Sequence, residues 1–61
     1  MVYMIKFYYS DGSSLVMDGV IYDSEEAAES SVFKWLCIHS DYWEEGDPFI
    51  TDHEIIGVKA A

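Results

Sequence analysis

The chain has 61 residues, with twelve carboxylates against three lysines, no arginine and a formal net charge of −9. Half of it is apolar (51%) and 16% is aromatic, which excludes a solvated acidic tail and predicts a small folded body with a large negative field. The same balance argues against direct contact with nucleic acid or an anionic membrane surface, both of which would repel it.

This length allows one domain with one core, read as residues 1–61. Cys37 is the only cysteine, so no disulfide staples the fold, and no Cys/His spacing matches a zinc site. No metal or other cofactor is expected. No apolar run approaches a membrane span, and the start Met1-Val2-Tyr3-Met4-Ile5-Lys6 does not read as a signal peptide. The expected setting is a reducing one, the cytosol of a host cell.

Val2 to Tyr9 is rich in β-branched and aromatic residues and reads as a first strand. Ser10-Asp11-Gly12-Ser13 supplies a tight turn, and Ser14 to Tyr22 reads as a second strand with Gly19 at a bulge or close approach. Asp23-Ser24-Glu25-Glu26 is a helix start. Asp23 or Ser24 can cap it, Asp23 with Glu26 fits a capping box, and the glutamates complement the positive end of the helix dipole. The helix is expected to reach about Ser40. Its stripe of Ala28, Val32, Trp35, Leu36 and His39 should pack on the sheet, with His39 a satisfied half-buried imidazole. Asp41 to Pro48 reads as a polar loop and Phe49 to Lys59 as the last strand.

The expected fold class is therefore α+β: a β-β-α-β domain, a three-stranded, mostly antiparallel sheet with one helix on one face. The last strand can pair antiparallel with the first, or lie parallel to the second through a crossover; the sequence leaves both open.

Two surfaces stand out. One is acidic: Asp23, Glu25, Glu26 and Glu29 at the helix start, and Asp41, Glu44, Glu45 and Asp47 after the helix, with Tyr42 and Trp43 as aromatic anchors. Asp18, Asp52 and Glu54 add to the charge. Phosphates recur at about 3.4 Å along a DNA strand and residues at about 3.3 Å along a β-strand, so carboxylate arrays can imitate phosphate spacing. The alternative is a solvated face.

The other surface is apolar. A single helix covers one sheet face, which leaves Val2, Met4, Tyr8, Val16, Val20 and Tyr22 around Lys6 and Asp18 on the far face, while Phe33 falls off the helix stripe. A partner or a second copy could cover this face, or loop 41–49 could wrap over it. Tyr8, Tyr9, Tyr22, Tyr42 and Trp43 could also clamp cationic groups beside carboxylates, although for any single one of them a place in a small aromatic core is the more ordinary account. Cys37 has Lys34 and His39 as its basic neighbours in a negative surrounding that disfavours the thiolate, and the spacings of His39 to Asp41 and of His53 to Asp52 and Glu54 are not diagnostic of a metal or acid–base site. The segment Asp41 to Asp52 departs from a calcium loop at Trp43, Pro48 and Asp52.

In size, charge and element order, with the runs Asp23-Ser24-Glu25-Glu26 plus Glu29 and Glu44-Glu45-Gly46-Asp47, the whole chain resembles small acidic inhibitors carried by phages and other mobile elements: anti-CRISPR proteins and, more broadly, DNA-mimic anti-restriction proteins. The resemblance implies a non-enzymatic, stoichiometric inhibitor. Its carboxylates would fill the DNA- or PAM-binding groove of a CRISPR effector or another basic nucleic-acid-binding protein. A homodimerising interaction module, or an antitoxin or immunity protein against a basic toxin, is the alternative.

Overall fold

Four elements follow in chain order: β1 (Val2–Tyr9), β2 (Ser14–Val16), α1 (Glu25–Tyr42) and β3 (Ile50–Val58). This computed structural model describes residues 1–59. The three strands form one sheet in the order β2-β1-β3, and both pairings are antiparallel. The α+β class is as expected, and the strand order resolves the open alternative. β3 pairs with β1, and β2 and β3 run parallel on either side of it.

The β1–β2 hairpin follows from its turn. Gly12 has φ +89°, a left-handed conformation that costs glycine little and other residues more. Asp11 holds the turn closed, its Oδ1 accepting from the Ser13 amide at 2.9 Å and from the Ser13 hydroxyl. Those bonds to the ionised form keep the Asp11 carboxyl below the usual aspartate range.

The expected second strand, Ser14 to Tyr22, is shorter than its sequence suggests. It ends at Val16, because a turn at Asp18-Gly19 carries the chain away from β1. Met17 still donates to the Ile5 carbonyl at 2.9 Å, and Tyr22 returns to the edge by exchanging two 2.9 Å bonds with Tyr3.

Ser24 caps α1: its Oγ accepts from the Ala27 amide at 3.1 Å. Asp23 is not the cap, and the expected Asp23/Glu26 capping box does not form. The helix runs two residues beyond the expected Ser40, so Asp41 and Tyr42 belong to its last turn rather than to the loop.

Ile5 and Phe7 from β1 and Ala28 and Val32 from α1 form the buried core. Tyr3, Tyr9, Met17, Tyr22, Trp35, Leu36, Ile50 and Ile55 pack around it. Full burial of a side chain such as Ile5 or Phe7 contributes roughly 1.5–3 kcal/mol. The Trp35 indole N–H, half-buried here, donates to the Tyr22 hydroxyl at 2.9 Å. Tyr22 therefore lies on the helix side and not on the far face. No helix among the described residues is long and apolar enough to cross a membrane.

Candidate protein-binding surface

Among the described residues, no element covers the far face of the sheet. Val2, Met4, Lys6 and Tyr8 stand opposite Val58, Ile56, Glu54 and Asp52 of β3, with Val16 opposite Lys6 on the other side. Directly opposed residues share a face. Loop 43–49 lies at the far end of the helix instead of over these residues. There Leu36, His39, Ser40, Trp43, Phe49 and Ile50 line an open cleft of about 380 Å³. Of the residues expected to form an oligomer face, Val2, Met4, Tyr8 and Val16 share the far face of the sheet, and Val20 and Phe33 do not. Val20 sits in the turn after β2, its amide bonded to the Met17 carbonyl at 3.3 Å. Phe33 belongs to the outer face of α1, on the other side of the molecule.

The far face divides along its length. Val2, Met4, Ile56 and Val58 form an apolar end. At the other end Tyr8 donates to Glu54 Oε1 at 2.7 Å, and Lys6 Nζ lies 5.0 Å from the centroid of the Tyr8 ring. The bond to Glu54, then desolvation and the nearby Glu54 charge, raise the Tyr8 phenol above its ordinary value.

The acidic residues fall into two groups at the two ends of α1. Glu25, Glu26, Glu29 and Ser30 border one shallow depression at the N-terminal end. Glu29 is only partly available, because its Oε1 meets His53 Nε2 at 2.8 Å and ties α1 to β3. Asp23 is exposed just before the cap.

At the C-terminal end Asp41, Tyr42, Glu44 and Glu45 are exposed, with Tyr42 at 83%. Asp47 and Trp43 are committed to the turn. Asp47 Oδ2 accepts from the Glu44 amide at 3.1 Å, and the Asp47 carbonyl accepts from the Trp43 indole at 3.0 Å. Gly46 allows this closure with φ +98°. Eighteen residues at 1.5 Å each place the two groups about 27 Å apart.

Between them the outer face of α1 carries Phe33, 76% exposed, and the exposed thiol of Cys37. Helical spacing sets Glu26, Phe33, Cys37 and Asp41 on this one side. Lys34, at its margin, stands 6.0 Å from the Trp35 ring centroid. Of the five aromatics that could clamp cations, Tyr9 and Tyr22 are half-buried and pack against the core, and the Tyr9 ring tilts against His39 at 6.0 Å. His39 Nε2 is buried with no hydrogen-bond partner among the described residues, contrary to the expected satisfied imidazole. Asp52 and Glu54, outside the expected binding set, share the far face with Tyr8 through the period-2 alternation of β3.

Among the described residues, no group of three or more His, Cys, Asp or Glu side chains is placed to hold a metal ion. Comparison with known proteins gives no match, whether to a family model, a curated protein or a solved structure.

Proposed function

We propose that this chain is a stoichiometric protein inhibitor. It binds the basic nucleic-acid groove of a DNA-binding protein, a CRISPR effector being the leading class of target, in the cytosol of a host cell. The observation that carries this reading is the outer side of α1. An exposed Phe33 stands between carboxylates at both helix ends, and one lysine, Lys34, lies at the margin. Solvated acidic faces do not require an unburied aromatic, whereas interfaces use one as an anchor within a charged rim. Steering by a field of this sign favours fast, salt-sensitive association with cationic grooves.

The test is displacement of labelled duplex DNA from a panel of CRISPR effectors at increasing salt. Inhibition at one-to-one stoichiometry that weakens steeply with salt is expected. Glu25→Lys/Glu26→Lys and Glu44→Lys/Glu45→Lys should each abolish it, and alkylation of Cys37 should weaken it. Undiminished inhibition by both charge-reversed variants would end the mimicry reading. A panel that includes basic toxins separates the antitoxin alternative, which uses the same surface.

The open sheet face favours a second reading, a homodimer joined through Val2, Met4, Val16, Ile56 and Val58. Sedimentation of wild type and Met4→Asp decides it: a concentration-independent monomer for both would rule it out.

A further inference from the structure

We infer that β3 is a docking edge for an extended cationic segment of a partner protein, which adds as a fourth strand beside it. The inference begins with where the backbone groups point. Odd-numbered β1 residues bond toward the β2 side: Ile5 accepts from Met17, and Tyr3 exchanges bonds with Tyr22, each at 2.9 Å. The even-numbered ones, Val2 to Tyr8, therefore bond toward β3, to their register partners Val58, Ile56, Glu54 and Asp52. This leaves His53, Ile55 and Gly57 with their amides and carbonyls directed outward along the free edge. The opposite edge of the sheet is the three-residue β2, with Met17 and Tyr22 continuing the pairing to β1 beyond it, a much shorter edge for an added strand. β3 is a nine-residue edge strand beyond which no described element lies.

One of these outward donors is already occupied, since the His53 amide donates to Asp52 Oδ1 at 2.8 Å. The edge then offers two amides, Ile55 and Gly57, and three carbonyls. An added strand can pair with them as in other cases of strand addition.

The occupant is chosen by charge. On the far face, Asp52 and Glu54 border this edge as two exposed carboxylates at alternate positions, followed by Ile56 and Val58. Glu54 Oε1 accepts the Tyr8 hydroxyl and Lys6 stands cross-strand from it, but no lysine forms an ion pair with either carboxylate among the described residues. A strand laid beside them is complementary if its side chains on that face are two cations followed by two apolar groups at every second position. A second copy of this chain brings a charge of −9 to an edge that is already acidic, which disfavours it. The segment is taken to belong to the basic partner proposed above. The edge geometry and its charge do not depend on which protein that is.

The test uses two synthetic peptides, Arg-Thr-Arg-Thr-Val-Thr-Val and its reverse, so that both strand directions are sampled. Each is also made with alternate amides N-methylated, in both phases. Binding of one peptide in fluorescence anisotropy is expected to fall at least tenfold when the edge-facing amides are methylated, and to change less than twofold when the opposite set is. Amide exchange at Ile55 and Gly57 should slow on binding. Asp52→Lys/Glu54→Lys, with folding checked by circular dichroism, should lose the peptide.

Equal binding of both methylated forms, or protection that appears on α1 instead of β3, would overturn the inference. So would slow exchange at Ile55 and Gly57 without peptide in a species whose mass shows two copies. Loss of binding in Glu44→Lys/Glu45→Lys but not in Asp52→Lys/Glu54→Lys would leave the helix-face reading standing and remove this one.

Discussion

Tyr22 and Tyr8 show how two residues of one type acquire different work from their neighbours. The Tyr22 hydroxyl accepts the Trp35 indole N–H where the edge of the core is half-buried. Tyr22→Phe removes that acceptor and keeps the ring, so it should lower stability by about 1 kcal/mol in urea denaturation. An unchanged midpoint would mean that water replaces the hydroxyl. The Tyr8 hydroxyl is instead a donor to Glu54, and ionising it would place two negative charges together. Its pKa is raised, so the neutral form is favoured in the folded state. The contribution is therefore present at neutral and mildly alkaline pH, below the unfolded tyrosine value near 10, and is lost as pH rises through the higher folded value. Absorbance titration should place the Tyr8 phenol above the ordinary tyrosine value, and Glu54→Ala should bring it back down. A wild-type protein with no tyrosine above that value would contradict the bond.

At the level of elements, α1 is set by its first residue and the hairpin by its turn. Ser24→Ala deletes the side-chain cap and should cost about 1 kcal/mol, whereas Asp23→Ala should cost little, as read from thermal melts of the two variants. If the order of the two variants were reversed, Asp23 would be the cap after all. These elements were largely legible in the sequence. Asp11-Gly12 announced the turn, β-branched and aromatic residues announced β1, and the stripe Ala28/Val32 announced the helix face.

The misreadings have a common physical origin. The alternation rule assumes an unbroken strand, but the Asp18-Gly19 turn inserts residues between Val16 and Tyr22. The phase slips, so Ile21 is 61% exposed while Tyr22 faces the core. The last turn of α1 extends past Ser40 because no glycine or proline stops it before Trp43. Of the acidic set, charge and clustering were readable from spacing. Which carboxylates were already engaged was not, since the Glu29–His53 contact joins residues 24 positions apart.

For the molecule as a whole, the two acidic groups are electrostatically unequal. Their separation of about 27 Å exceeds the Debye length of about 10 Å at 0.1 M salt, so they barely sense one another. Each is governed by its own end of the helix. Glu25 and Glu26 lie at the positive end, where a carboxylate stabilises the fold by roughly 0.3–1 kcal/mol, and Glu29 is held by His53. Asp41, Glu44 and Glu45 lie at and just beyond the negative end, where the same charge works against folding.

Charge reversal should therefore act in opposite directions. Glu25→Lys/Glu26→Lys should lower the melting temperature. Glu44→Lys/Glu45→Lys should raise it, by about 4–8 °C for each kcal/mol gained in a domain of this size. The gap between the two variants should narrow as NaCl rises from about 0.05 to about 0.5 M, because screening removes terminal dipole effects. Two variants that shifted the melting temperature in the same direction would show that overall self-repulsion, and not helix polarity, governs stability. A Glu44→Lys/Glu45→Lys protein that is more stable yet no longer blocks DNA would locate the reason for those carboxylates in binding: they oppose the fold that carries them.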